Sequence, residues 1–179
     1  LGMDLMKFDD YKVEKGGNEL PLILWNHRWE HDKNPEAFFD ALIQLSQMGS
    51  KFNLAVLGEE FKQELPCFTK AREILKPHIV QFGFTDSFED YAKWLWKADV
   101  LPVTSIQDFF GASIMEAAYC LTMPLLPKRL TYPELFLADD NLPIFYNDSD
   151  ELIDKLTYTI QNISETRKRS CQVNAAKAW

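Results

Sequence analysis

Asp108 and Glu116 stand on either side of seven residues that begin Phe109-Phe110-Gly111. The stretch follows an apolar run, Val100-Leu101-Pro102-Val103, which ends in Thr104-Ser105. It leads through Gly111 into Ala112, Ile114, Ala117 and Ala118. A strand that turns through a glycine into a helix places exposed backbone N–H groups at a helix N-terminus, where a phosphate is favoured. Carboxylates flanking such a loop accept hydrogen bonds from hydroxyls. The chemistry on offer is recognition of a phosphate joined to a polyhydroxylated group.

A second cluster lies in Asn26-His27-Arg28-Trp29-Glu30-His31-Asp32-Lys33. Arg28 offers a bidentate fork and Lys33 a point charge, the pairing that a diphosphate needs. His27 and His31 are four residues apart, as a metal pair on a helix would be. Here they fall in a loop, with a helix starting only at Asn34-Pro35, so no metal is assigned to them. Gly58 allows a turn, and Gly83-Phe84 places backbone groups just past a strand, where a nucleobase edge could pair. Each residue also has a plainer reading: surface charge for Arg28 and Lys33, a turn for Asp108, the helix dipole for Glu116, and the core for Phe84.

The elements needed to hold these residues are legible as an alternation. Leu20–Trp25 is a continuously apolar run, the mark of a strand buried on both faces. The helix from Asn34 has apolar Phe38, Ala41, Leu42 and Leu45 at helical spacing and ends at Gly49. Strands are expected at Phe52–Gly58, His78–Gly83, Asp99–Val103, Met123–Pro127 and Leu142–Phe145. Helices are expected after Pro66, after an N-cap at Ser87, over Gly111–Leu121 and from Asp150 onward. Alternating strands and helices need right-handed crossovers and a mostly parallel sheet. Ligands of such sheets bind outside the carboxyl ends of the strands, where all the residues named above fall.

The bulk composition narrows the class. The chain has 179 residues, 46% of them hydrophobic and 13% aromatic, enough for one domain with a sizeable core. No apolar run reaches the roughly 18 residues of a membrane span, so no membrane partner is expected. Cys67, Cys120 and Cys171 are odd in number and scattered, which favours a reducing compartment over a disulfide framework. Asn147-Asp148-Ser149 and Asn162-Ile163-Ser164 are then chance matches to a glycosylation triplet. A net charge of −8 repels phosphate polymers on average, and the basic trio Arg167-Lys168-Arg169 reads as one solvated helix face. A dinucleotide-binding dehydrogenase is disfavoured, because no G-x-G-x-x-G follows the first strand.

Together these residues resemble the donor-binding domain of the GT-B glycosyltransferases, in particular the retaining family-4 type. That pattern is an Arg near the end of the first strand, a Lys at the next helix, and a strand ending in Pro-Ser. A Glu, seven residues and a second Glu then follow around a Phe-Gly. Here it reads Arg28, Lys33, Asp99 to Ser105, and Asp108-Phe109-Phe110-Gly111 to Glu116, over about residues 20–178. The first acid is Asp, one methylene shorter than Glu, and the strand ends Pro102-Val103-Thr104-Ser105. The run Leu24-Trp25-Asn26-His27-Arg28-Trp29-Glu30-His31-Asp32-Lys33-Asn34-Pro35 is similar to the branch that mannosylates the queuosine of tRNA-Asp.

The resemblance implies an α/β fold, a Rossmann-like doubly wound parallel sheet forming the C-terminal half of a GT-B enzyme. It implies a hexosyltransferase that moves mannose from GDP-mannose with retention, and without cofactor or metal. Arg28 and Lys33 would hold the diphosphate, Asp108 would face the sugar hydroxyls, and Glu116 would accept from the ribose. The backbone of Phe110, Gly111 and Ala112 would cover sugar and phosphate, while Gly83 and Phe84 flank the guanine. Residues 1–19 would be a linker from an N-terminal domain that supplies the acceptor side and the tRNA contacts, and 20–179 the donor domain. Alone, this domain is expected to bind donor with little or no turnover, in the cytoplasm or also the nucleus. Two alternatives stay open: a transferase of the same fold with another nucleotide sugar and acceptor, and a binding module without catalysis.

Overall fold

Every side chain of Leu22–Trp25 is buried, as a strand covered on both faces requires. In the computed structural model, which describes residues 2–15, 20–59, 65–136 and 144–175, this strand is β1, at the centre of a six-stranded sheet. The others are β2 (Asn53–Leu57), β3 (Ile79–Gly83), β4 (Val100–Pro102), β5 (Met123–Pro127) and β6 (Phe145–Tyr146). The order is β3-β2-β1-β4-β5-β6, and every pairing is parallel. The chain winds outward from β1 to β3, returns to the middle at β4 and winds the other way. That reversal opens a crevice between β1 and β4 at their carboxyl ends.

Alternate residues of β1 serve opposite layers. Leu22 and Leu24 pack with α3 (Phe88–Lys97) and α4 (Ala112–Tyr119) through Ala92, Leu95, Ile114 and Ala117. Ile23 and Trp25 face α1 (Pro35–Gln47), α2 (Pro66–Ile74) and, further along the chain, α6 (Ser149–Gln161), through Phe38, Leu42, Phe68 and Leu156. The expected caps form: the Asn34 side chain accepts from the Ala37 N–H at 3.4 Å and Ser87 from the Asp90 N–H at 3.1 Å. Among the α-helices of the described residues, the single turn α5 (Tyr132–Leu135) has no counterpart in the sequence expectations. The last strand is displaced from Leu142–Phe145 to β6; Leu142 and Pro143 lie outside the described residues.

Two expectations are corrected. Residues expected to form a polar linker include a 3-10 turn over Met6–Tyr11, and Leu5 and Phe8 are buried in the core. Their i, i+3 spacing puts both on one face of the turn, and the Trp96 indole N–H donates to the Phe8 carbonyl at 2.8 Å. The Lys15 ammonium donates to the carbonyls of Trp96 and Ala98, a half-buried anchor on the same wall. Residues 16–19, the rest of that stretch, lie outside the described residues. Arg167, read as part of a solvated basic face, reaches inward from α7 (Ile163–Ala175) instead. Its Nε donates to Asp99 Oδ1 at 2.8 Å and its Nη2 to Oδ2 at 3.3 Å, while Asp99 Oδ2 also accepts from the Leu22 N–H at 2.9 Å. A buried carboxylate just before β4 required a cation, and the basic trio supplied one.

Candidate functional site

The crevice between β1 and β4 holds a cleft of about 310 Å³ whose wall includes Arg28, Lys33, Asp108, Phe110, Gly111 and Ala112. Six of the nine expected site residues therefore meet at one hollow. Lys33 ends a 3-10 turn (His31–Lys33), and its side chain is only 11% exposed. The ammonium donates to the Gln107 carbonyl at 3.1 Å and stands 3.5 Å from Asp32 and 3.7 Å from Asp108. It is a positive charge held in place before any ligand arrives. Arg28 differs: its side chain is 61% exposed at the rim, where it pairs with Glu30 at 3.3 Å.

The β4–α4 loop is fastened to the β1–α1 loop by backbone and side chain. Ile106 N–H donates to the Asp32 carbonyl at 2.8 Å, and the Thr104 hydroxyl donates to the carbonyls of Lys33 and Asn34 at 3.0 and 2.8 Å. From the other side Arg129 donates to the Ser105 carbonyl at 3.0 Å. Gly111 precedes α4 with φ +59°, a left-handed value that suits glycine, and Phe109 and Phe110 project outward at 83% and 77% exposure.

Asp108 lines the cleft and also anchors the loop that carries it. Its Oδ1 accepts from the Gly111 N–H at 3.1 Å, and its Oδ2 accepts from the Tyr132 hydroxyl at 3.0 Å. The carboxylate borders the cleft while fixing its own loop, and each oxygen keeps a second lone pair that can accept from another donor. The short Asp side chain folds back on its own turn, as Asx residues do.

A second cleft of about 220 Å³ shares Asn26, His27 and Arg28 with the first and adds Gly58, Phe84, Thr85 and Tyr91. Phe84, 62% exposed, is thus separated from the Lys33 cleft by the Asn26–Arg28 wall and is not core. Gly83 ends β3 at φ +125°, which lets the chain turn there. Gly58, at φ +102°, would bring a Cβ to 3.3 Å from the His27 carbonyl and the Trp29 ring, so the backbone must pass close. Glu116 borders neither cleft directly. Its Oε2 accepts from the Tyr91 hydroxyl at 2.8 Å, while Asn26 Nδ2 donates to the Ser113 carbonyl at 2.9 Å and to the Tyr91 oxygen at 3.4 Å. The sequence gives neither Tyr91 nor Asn26 a role; Tyr91 lies on α3, where an aromatic residue at helical spacing looks like core.

His27 is a buried wall residue. Its Nδ1 is 2.9 Å from the Ser113 hydroxyl and its ring stands edge-on to Trp25. Burial, with a smaller push from the Lys33 charge, lowers its pKa from 6.5 to about 4, so the imidazole is neutral at pH 7. A lowered pKa means the unfolded chain binds more protons between pH 6.5 and 4, so stability falls as pH falls through that window. About 2 kcal/mol should be lost by pH 5. Urea melts at pH 7 and 5 check this, and His27→Gln should remove that part of the acid sensitivity.

Residues 7–178 match the pattern of the family described as glycosyl transferases group 1. The chain belongs to that family. This group 1 glycosyltransferase chain is 37% identical over 134 residues to a tRNA-queuosine alpha-mannosyltransferase of Drosophila melanogaster, covering 75% of the chain and 34% of that relative. It therefore spans about a third of the length of the curated relative it matches. Among solved structures, the C-terminal domain of LpcC, a group 1 glycosyltransferase of Francisella tularensis, superposes with a TM-score of 0.70 at 18% identity, over 98% of this chain and 91% of that one. HepE of Anabaena, solved in complex with UDP, gives 0.69 at 19% identity, over 89% of this chain and 44% of that one. These likenesses agree on the GT-B α/β architecture. Among the described residues of the group 1 chain, no helix is long and apolar enough to cross a membrane.

Proposed function

We propose that this chain is the donor-binding half of a retaining mannosyltransferase that transfers mannose from GDP-mannose to the queuosine of tRNA-Asp. The observation that carries the reading is the buried Lys33 ammonium facing the Gly111–Ala112 turn across one cleft, with Arg28 at its rim. When the bond from the anomeric carbon to the β-phosphate oxygen breaks, the electron pair stays on the departing GDP. A fixed ammonium, a guanidinium and helix N-terminal N–H groups are suited to that charge, so no metal or cofactor is invoked. The acceptor hydroxyl oxygen takes the vacated place on carbon and passes its proton to the departing phosphate. Glu116, steadied by Tyr91, would accept from the ribose, and Phe84 would flank the base in the adjoining cleft.

The acceptor side of the reading is supported by the Drosophila relative's name and by Phe109 and Phe110. Two rings so exposed at the mouth of a cleft suit a planar, unstacked base. The rest of the acceptor machinery and tRNA contacts would come from a preceding domain, leaving this half able to bind donor but not to turn it over. The enzyme would work in the cytoplasm, the nucleus, or both.

Calorimetry with GDP-mannose, UDP-glucose and free GDP tests the reading. Binding of both guanine ligands in preference to UDP-glucose is expected. At a hundredfold excess over Kd the ligand should stabilise the fold by about 2.7 kcal/mol. Preference for the uridine sugar would move the chain to another transferase of this fold. Failure of every nucleotide to bind would leave a binding module without catalysis.

A further inference from the structure

We propose that Tyr132 is a positioning residue of the donor cleft, fixing through Asp108 the Phe110–Ala112 backbone on which the donor's phosphate seats. The proposal rests on the nucleotide-sugar reading of that cleft. Tyr132 is fully buried, and its hydroxyl donates to Asp108 Oδ2 at 3.0 Å. The other oxygen of the same carboxylate takes the Gly111 N–H at 3.1 Å. Beneath that glycine lie the Leu135 side chain and the Tyr132 ring, which a Cβ at Gly111 would meet at 3.5 and 3.9 Å. One turn of helix, α5, thus sets both the height and the tilt of the loop, although Tyr132 borders neither cleft.

The same geometry accounts for Asp where the family pattern has Glu. A carboxylate that caps an N–H three residues ahead must lie close to its own backbone. A side chain one methylene longer overshoots that N–H if it stays on the Tyr132 hydroxyl. Asp108 and Tyr132 are therefore a matched pair, and the loop is preorganised by their agreement.

GDP-mannose affinity, measured by calorimetry on the wild-type chain and three variants, decides the matter. Tyr132→Phe keeps the ring and removes the hydroxyl; it should weaken binding about tenfold, the worth of one charge-assisted hydrogen bond that orders the site. Asp108→Glu should weaken binding at least as much, despite restoring the family's usual residue. Tyr146→Phe is the control: it removes another buried hydroxyl, which donates to the Val103 carbonyl at 2.5 Å on the same stretch of chain. It should lower the melting temperature comparably and leave affinity within about twofold. Wild-type affinity in Tyr132→Phe overturns the proposal, as does an equal loss in Tyr146→Phe. If Tyr132→Phe does not fold, Asp108→Glu alone decides, and wild-type affinity there overturns it. A wild-type chain that binds no nucleotide sugar defeats the functional reading first, and this inference with it.

Discussion

Asp99→Ala is expected to destabilise the fold by about 3–5 kcal/mol, read as a lowered urea midpoint with an unchanged slope. The side chain is 2% exposed and satisfies three donors at once: the Leu22 N–H and two nitrogens of Arg167. Truncation leaves a partly buried guanidinium without its counter-charge and the first N–H of the central strand without an acceptor. Either loss alone is worth about 1–3 kcal/mol. The pair is coupled, so Asp99→Ala combined with Arg167→Met should cost clearly less than the two single changes added together. Additive losses would show that the two side chains stabilise the fold separately.

Lys33→Met should weaken GDP-mannose binding by about 10²–10³-fold, the usual consequence of removing one preorganised charge from a desolvated site. Methionine keeps the buried stem, so the melting temperature should move far less than the affinity. Arg28→Ala removes a comparable charge from the same cleft, yet its side chain is mostly exposed and already shares Glu30. Its loss should be nearer tenfold and should shrink as salt is raised. Equal losses in the two variants would mean that burial does not set their weights.

The backbone of the fold was legible because its signals are local. Leu22–Trp25 is apolar throughout, Asn34-Pro35 opens a helix with its own cap, and Ser87 caps another; each is settled within a few residues. The cleft was legible in its rim residues for the same reason, since strand ends in a parallel sheet converge on one edge. The partnerships that set the site's geometry were not. Tyr132 lies 24 residues from Asp108 and Tyr91 lies 25 from Glu116, and nothing in the intervening sequence marks either tyrosine as a partner. Arg167 misled for a related reason: a basic trio on a helix looks the same whether or not a buried acid 68 residues away claims one member. Leu5 and Phe8 were hidden among polar neighbours, where two apolar residues carry little periodic signal.

The middle of the sheet is a seam. β1 and β4 register only through Ile23 opposite Val100, against four aligned pairs between β1 and β2. At one end of the seam the Asp99 clip closes it; at the other, Thr104 and Ile106 reach across to residues 32–34, beside the cleft. A donor lodged in that cleft would act as a rivet through both halves of the molecule. Occupancy at one border and the ionic clasp at the other would then share a single mechanical task, and slackening either should be felt by its counterpart across the whole depth of the sheet.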